Sequence, residues 1–313
     1  KPVINLNLVK ALEELLNLKY LELNPEWKPY DREILPPKSE YEKVIGKYSE
    51  IISTFKNSET SSEAIFRTGY LWFKLKDYDE AESFFDKLIE ERPNSQFTAN
   101  CRLYKGLIAI RKGELAQAEH AFKAAITSFT TDPDVKNRAK FNLMMCSLFK
   151  NDIPATTSLL AEILSVPSDN LANDALELSP LLNKNMADSL SLIAFAKGEE
   201  EIMKGNLEDA YKIFSGLRTA NSKIVASVAV FRTAELAASL DRYDDAITVI
   251  NESVKDPMNI YADKSLFLQG EIYNFGKKDI PKAIAAYEQI LINFPKSILY
   301  DKARETILSI KTN

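Results

Sequence analysis

Apolar residues recur along this chain at helical spacing, in paired amphipathic stretches separated by short polar turns. Residues 62–95 give the clearest instance, where AIFRTGYLWFKL leads through KDYD into EAESFFDKLIEERP. Pro93 ends that unit, because proline cannot continue a helix. The small residue that opens each second helix keeps a beat. It is Ala81, Ala118, Ala155, Ala210, Ala246 and Ala283, with gaps of 37, 37, 55, 36 and 37 residues. A period in that range predicts stacked helical hairpins, each of which buries its apolar face only against its neighbours.

With Ser62 as position 1, Gly69 falls at 8, Trp72 at 11, Ala81 at 20, Phe85 at 24 and Pro93 at 32. Gly69 and Ala81 would let the two helices of a hairpin approach closely, and Trp72, Tyr78 and Phe85 would fill the space around them. This pattern resembles the tetratricopeptide repeat. The resemblance implies an all-α, right-handed superhelical solenoid of about six units plus caps. Further units start at Ala99, Lys136, Ser191, Ser227 and near Asp263. The third has Leu143 in place of the glycine but keeps Ala155, Leu159 and Pro167. The sixth has one extra residue in its turn, GKKDIP.

The beat also predicts the organisation. Residues 1–37 form an N-terminal helix and a proline-rich linker, and residues 38–167 a first sub-array. The gap of 55 exceeds the beat by one helix, with NLANDALEL as the candidate, and predicts a phase break at 168–190. Residues 191–313 form a second sub-array that ends in a capping helix, SILYDKARETILSI, whose Lys302, Arg304 and Glu305 fit a solvated side. The first helix is apolar on more than one face, through Leu8, Leu12, Leu15, Leu16 and Leu18. That fits either a tucked-in cap or missing earlier repeats.

Composition narrows the function. With 40 basic and 45 acidic residues the net charge is −5, which argues against a nucleic-acid partner. No apolar run is long enough to span a membrane. Cys101 and Cys146 make no metal-binding spacing, lie too far apart in register to bridge, and are expected buried and free. The single histidine, His120, has no nucleophile motif beside it and is expected on the surface or partly packed. Phosphate-binding and nucleophile-elbow motifs do not occur. The expectation is a protein that is not an enzyme and has no cofactor or metal. A carboxylate-pair enzyme is the alternative from another class.

In the tetratricopeptide resemblance, positions 2, 5, 9 and 12 of the first helices face the concave groove. Position 5 is Phe195, Phe231 and Phe267, and position 9 is Glu199, Glu235 and Glu271, each spaced by 36 residues. Residues four apart share a helix face, so an aromatic ladder would stand beside an acidic one. Such a groove would favour a protein segment with apolar and basic residues. Alternatively, the phenylalanines pack between helices and the glutamates are merely solvated. In the first half the same positions hold Phe66, Tyr70 and Phe73, then Leu103, Leu107 and Ile110, then Lys140, Met144 and Ser147. That apolar groove would need covering, either by the N-terminal segment with Trp27 and Tyr30 as plugs or by a partner helix. Phe66 and Tyr70 stand where chaperone-tail clamps of this family carry Lys and Asn, so that role is not expected.

FPKSILYDKAR, and more loosely RPNSQFTANCR, resemble the joints of bacterial cell-envelope tetratricopeptide proteins, such as outer-membrane assembly lipoproteins and the Tol-Pal coordinator. The resemblance implies a non-enzymatic scaffold or adaptor in the periplasm or cell envelope, binding a protein or peptide in its groove. The alternative is a cytoplasmic assembly or regulatory adaptor.

Overall fold

The structure, a computed structural model, describes residues 1–23, 27–30, 35–129, 132–165, 170–184, 189–256 and 259–312. It is an all-α repeat fold of stacked antiparallel hairpins, as the sequence predicts. The chain divides into two compact units, Lys1–Asn24 with Glu33–Ser179, and Pro25–Arg32 with Pro180–Asn313.

The first unit holds four hairpins. They are α1 (Pro2–Leu23) with α2 (Lys38–Thr54), α3 (Glu59–Lys74) with α4 (Tyr78–Glu91), α5 (Thr98–Lys112) with α6 (Leu115–Thr127), and α7 (Pro133–Phe149) with α8 (Ile153–Leu164). The next helix, α9 (Asn170–Lys184), runs through Pro180 rather than stopping before it. The second unit holds α10 (Ser189–Lys204) with α11 (Leu207–Leu217), α12 (Lys223–Ser239) with α13 (Tyr243–Ser253), α14 (Ala262–Glu271) with α15 (Ile280–Asn293), and the closing α16 (Tyr300–Thr312).

The small residues act by close approach. A Cβ built on Gly106 would stand 2.3 Å from the Phe122 ring, and on Gly69 2.6 Å from Phe85. Ala81, Ala118, Ala210, Ala246 and Ala283 are fully buried opposite these contacts.

The hairpin turns from α3–α4 to α12–α13 close in the same way, and that of α14–α15 closes in a variant of it. One residue takes the left-handed conformation, and the N–H after it reaches back five residues, as Asp77 N–H does to the Trp72 carbonyl at 3.0 Å. This geometry satisfies the end carbonyls of the first helix. The left-handed residues are Lys76, Gly113, Asn151, Gly205, Asp241 and Lys278, spaced by 37, 38, 54, 36 and 37.

These turns correct the register of the α7–α8 hairpin, the third predicted repeat, by one residue. The fifth residue after Asn151 is Thr156, which is fully buried, whereas Ala155 is only half-buried. The Thr156 hydroxyl donates to the Asp152 carbonyl at 2.7 Å, so it is satisfied inside the helix. Met144 and Leu160 then occupy the places expected for Leu143 and Leu159.

The extra residue of the α14–α15 hairpin, the sixth predicted repeat, lies mostly in the helix, not the turn. The chain after α14 winds as a π-turn over Ile272–Gly276, and Asp279 N–H reaches back six residues to Tyr273 at 2.8 Å. A π-turn absorbs one inserted residue without breaking the helix.

The two end helices differ. Lys302, Arg304 and Glu305 of α16 are exposed, while Ala303 and Ile307 face inward. On α1, Leu6 and Val9 are buried against α2, but Leu8, Leu15 and Leu18 are 63%, 65% and 54% exposed. The helix is therefore not tucked in within its unit.

Candidate partner groove

In the second unit, α10, α12 and α14 carry the two ladders. Phe195, Phe231 and Phe267 are all buried. Phe195 meets Phe214 edge-on at 5.7 Å, Phe231 stacks on Tyr261 at 5.5 Å, and Phe267 lies 5.3 Å from Tyr287. Each ring therefore packs on another ring, Phe195 and Phe267 within their own hairpins and Phe231 on the residue that precedes α14. The position-9 row lies one helical turn further along the same helices.

That row is not uniformly acidic. Arg232 stands between two of its members, with Nε donating to Glu199 at 2.8 Å and Nη1 to Glu235 at 2.7 Å. One guanidinium thus offsets the repulsion that a bare carboxylate ladder would carry. Glu199 and Glu235 are largely buried, and Glu271 is half-buried. Sequence reasoning missed Arg232, although it occupies position 6, as Arg67 does in the first hairpin of the earlier array.

Trp27 and Tyr30 are plugs, but of the second unit and not the first. The Tyr30 hydroxyl donates to Glu235 Oε2 at 3.0 Å, and its N–H donates to Ser239 Oγ at 3.0 Å. Lys28 pairs with Asp241 at 2.7 Å. Trp27 lies 5.7 Å from the Tyr243 ring and 6.1 Å from Phe275, which it faces in a stacked orientation. Burial, then the nearby carboxylates, raise the Tyr30 hydroxyl well above its ordinary value despite Arg232. Lys28 and then Tyr243 hold the Asp241 carboxyl below its ordinary value.

In the first unit the expected open groove fills itself. Phe66, Tyr70 and Phe73 are half-buried around Tyr104, at centroid distances of 5.9, 5.2 and 5.0 Å. Arg138 caps the other side of Tyr104 at 5.7 Å. Leu103, Ile110, Met144 and Ser147 are buried, while Leu107 and Lys140 are half-buried. Phe66, Tyr70, Phe73 and Leu107 stay partly open to water. Tyr104, the hub, lies one position past the predicted row and so escaped it.

The remaining chemistry is sparse. His120 is exposed, on a cleft of about 360 Å³ that Glu82, Lys105 and Gln117 also line; no Ser, Thr or Cys lines it. Cys101 and Cys146 are buried and free, and burial pushes the Cys101 thiol up. Among the described residues, no group of three or more His, Cys, Asp and Glu is placed to hold a metal ion.

The two proline-serine joints share one geometry. Ser95 Oγ donates to Glu59 at 2.7 Å and accepts from Phe97 N–H at 3.3 Å. Ser297 donates to Asp263 and accepts from Leu299 N–H at 3.0 Å. Each serine ties the end of one hairpin to the start of that same hairpin's first helix.

One family model matches two stretches of the chain. The family model described as "Tetratricopeptide repeat" matches residues 63–95 and 264–297, each stretch ending on a joint serine. Two solved structures are similar over nearly their whole length. One is PilW, described as a widely conserved type IV pilus biogenesis factor, at 14% identity over 96% of this chain and 98% of that one, with a TM-score of 0.37. The other is the P58(IPK) TPR domain, at 14% identity over 97% and 98%, with a TM-score of 0.30. No curated protein matches the sequence.

Proposed function

We propose that this chain, which carries tetratricopeptide repeats, is a non-catalytic scaffold whose second unit holds a segment of a partner protein on its first helices, within a bacterial envelope complex. The observation that carries the reading is the seating of Trp27–Tyr30. The Glu199–Arg232–Glu235 row and the turn beside it already take up a non-helical segment with two rings and a lysine. Apolar and basic groups are the chemistry expected of a partner there. The non-catalytic part is supported by the same row, since its two carboxylates share a guanidinium rather than flanking an open cleft. The envelope part is supported by the resemblance of FPKSILYDKAR to envelope repeats.

The test is affinity capture from the native source under mild conditions, with the wild-type chain and Glu235→Ala side by side. The expected result is a protein retained by the wild type and weakened in the variant, with a shallower salt dependence. If nothing is retained, or retention ignores Glu235, the reading fails. Fractionation of the same cells tests location: recovery with the envelope is expected, and recovery in the cytoplasm favours the alternative adaptor.

A further inference from the structure

We infer that Trp27–Tyr30 is an exchangeable resident ligand, and that the second unit reads the pattern aromatic–basic–X–tyrosine in a partner, which must displace the chain's own copy. The inference rests on the groove reading above and names both its specificity and its regulation.

Three recognition points stand in order along the four residues. Trp27 enters a slot, Lys28 meets an acid, and Tyr30 meets the Glu235 carboxylate and the Ser239 hydroxyl. The slot is a built feature. Its floor is Gly276, where a Cβ would stand 3.0 Å from Tyr243 Cζ and 3.2 Å from Trp27 Cη2. Its wall is Phe275. Both belong to the π-turn, the irregularity that sets the α14–α15 hairpin apart from the others. A regular helix end would present these two residues one step round the axis, so the insertion shapes the place where the indole sits.

The acid is equally specific to this hairpin. Asp241 occupies the left-handed turn position, where the equivalent residues are Lys76, Gly113, Asn151, Gly205 and Lys278. Among these six turns, only this one offers an anion to a lysine. Side-chain exposure of 64% at Asp241 leaves that contact open to exchange.

Tethering makes the resident copy a strong competitor. The resident copy belongs to the same chain and so competes intramolecularly, at an effective concentration taken on the order of 1 mM. A free peptide with a Kd of about 0.1 mM for the empty site would therefore bind the intact chain about tenfold more weakly. A partner must exceed the resident copy in affinity, or bring further contacts, to open the site.

The test is fluorescence anisotropy with a labelled peptide of residues 25–32, PEWKPYDR. It is titrated into the wild-type chain and into Trp27→Ala/Tyr30→Ala, with circular dichroism confirming that the variant is folded. Binding to the variant is expected to be about tenfold tighter, and lost when the peptide's own tryptophan becomes alanine. A charge swap gives a second readout that does not depend on emptying the strap. Asp241→Lys is compatible with the turn, because lysine holds the same conformation at Lys76 and Lys278. A K28E peptide is expected to bind the Asp241→Lys chain and not the wild type. Equal affinity for the full and emptied chains, or no rescue in the swap, overturns the inference. If a captured partner still depends on Glu235 while the peptide does not bind, only this inference falls. If neither binds, the groove reading falls with it.

Discussion

Each unit builds a tyrosine–carboxylate–arginine cluster, and the two differ in what carries the tyrosine. In the first unit, Tyr48 lies on α2, fully buried, and donates to Glu13 at 2.6 Å; Arg67 of α3 donates to the same carboxylate at 3.1 Å. Lys10 and Arg67 both reach Glu63, at 2.7 and 3.2 Å, and extend the network across α1 and α3. In the second unit, Tyr30 lies on a non-helical strap and donates to Glu235, while Arg232 ties Glu235 to Glu199. The first cluster joins three packed helices and cannot open without unfolding its unit. The second joins helices to a four-residue strap held by two hydrogen bonds, one ion pair and two ring contacts. Similar chemistry thus serves as a core fastening in one place and a docking site in the other.

The largest expected break in this contrast is Glu13→Ala. It leaves the Tyr48 hydroxyl and the Arg67 guanidinium without their shared acceptor, and removing one partner of a buried pair costs about 3 kcal/mol. Urea unfolding of the first unit should show that loss. Arg232→Met should come next, at about 2 kcal/mol, because Glu199 and Glu235 then face each other uncompensated. It should also weaken the strap, seen as faster proteolysis near Trp27.

A smaller and sharper comparison removes one hydroxyl from each cluster. Tyr48→Phe should lower stability by about 1 kcal/mol, since a bond to a buried charged group is lost. Tyr30→Phe should lower the free energy of local strap opening more than it lowers global stability. Equal losses would mean that the strap is as much part of the fold as α2.

The smallest effect is a pH dependence. The folded Asp241 value is depressed, so the Lys28 contact contributes stability above the ordinary value of 3.8, and that contribution is lost as pH falls through the folded value. With Trp72→Phe, the emission of Trp27 reports the slot alone, since the chain has two tryptophans. Its emission should hold from neutral pH down to that window and shift below it. Lys28→Ala should move the transition to higher pH.

The hairpins were legible because each buries a repeated residue pattern, and Gly69, Phe85 and Pro93 spell one hairpin nearly complete. The α7–α8 hairpin was misread by one residue for a physical reason. Its register is set by a left-handed turn residue, and that place is filled by Lys, Gly, Asn, Gly, Asp and Lys, which share no side-chain signature. Alanine at 155 looked like the beat, while the buried place went to a threonine able to bond its own helix. In the ladders, the spacing of 36 placed like residues on equivalent faces of α10, α12 and α14. It could not tell rings that pack from rings that wait, since both fates use the same residue. The strap was legible as a plug and not in its destination, because Tyr30 and Glu235 lie 205 residues apart with no periodic link.

Hydrogen exchange of the intact chain, followed peptide by peptide in rising urea, tests the contrast most directly. The amide of Tyr30, bonded to Ser239, should exchange by local opening, with a low free energy that barely changes with urea. The amide of Tyr48, inside α2, should exchange only with the unfolding of its unit and depend steeply on urea. If both amides exchange with the same free energy and the same urea dependence, the strap is a fixed part of the fold and the account is wrong.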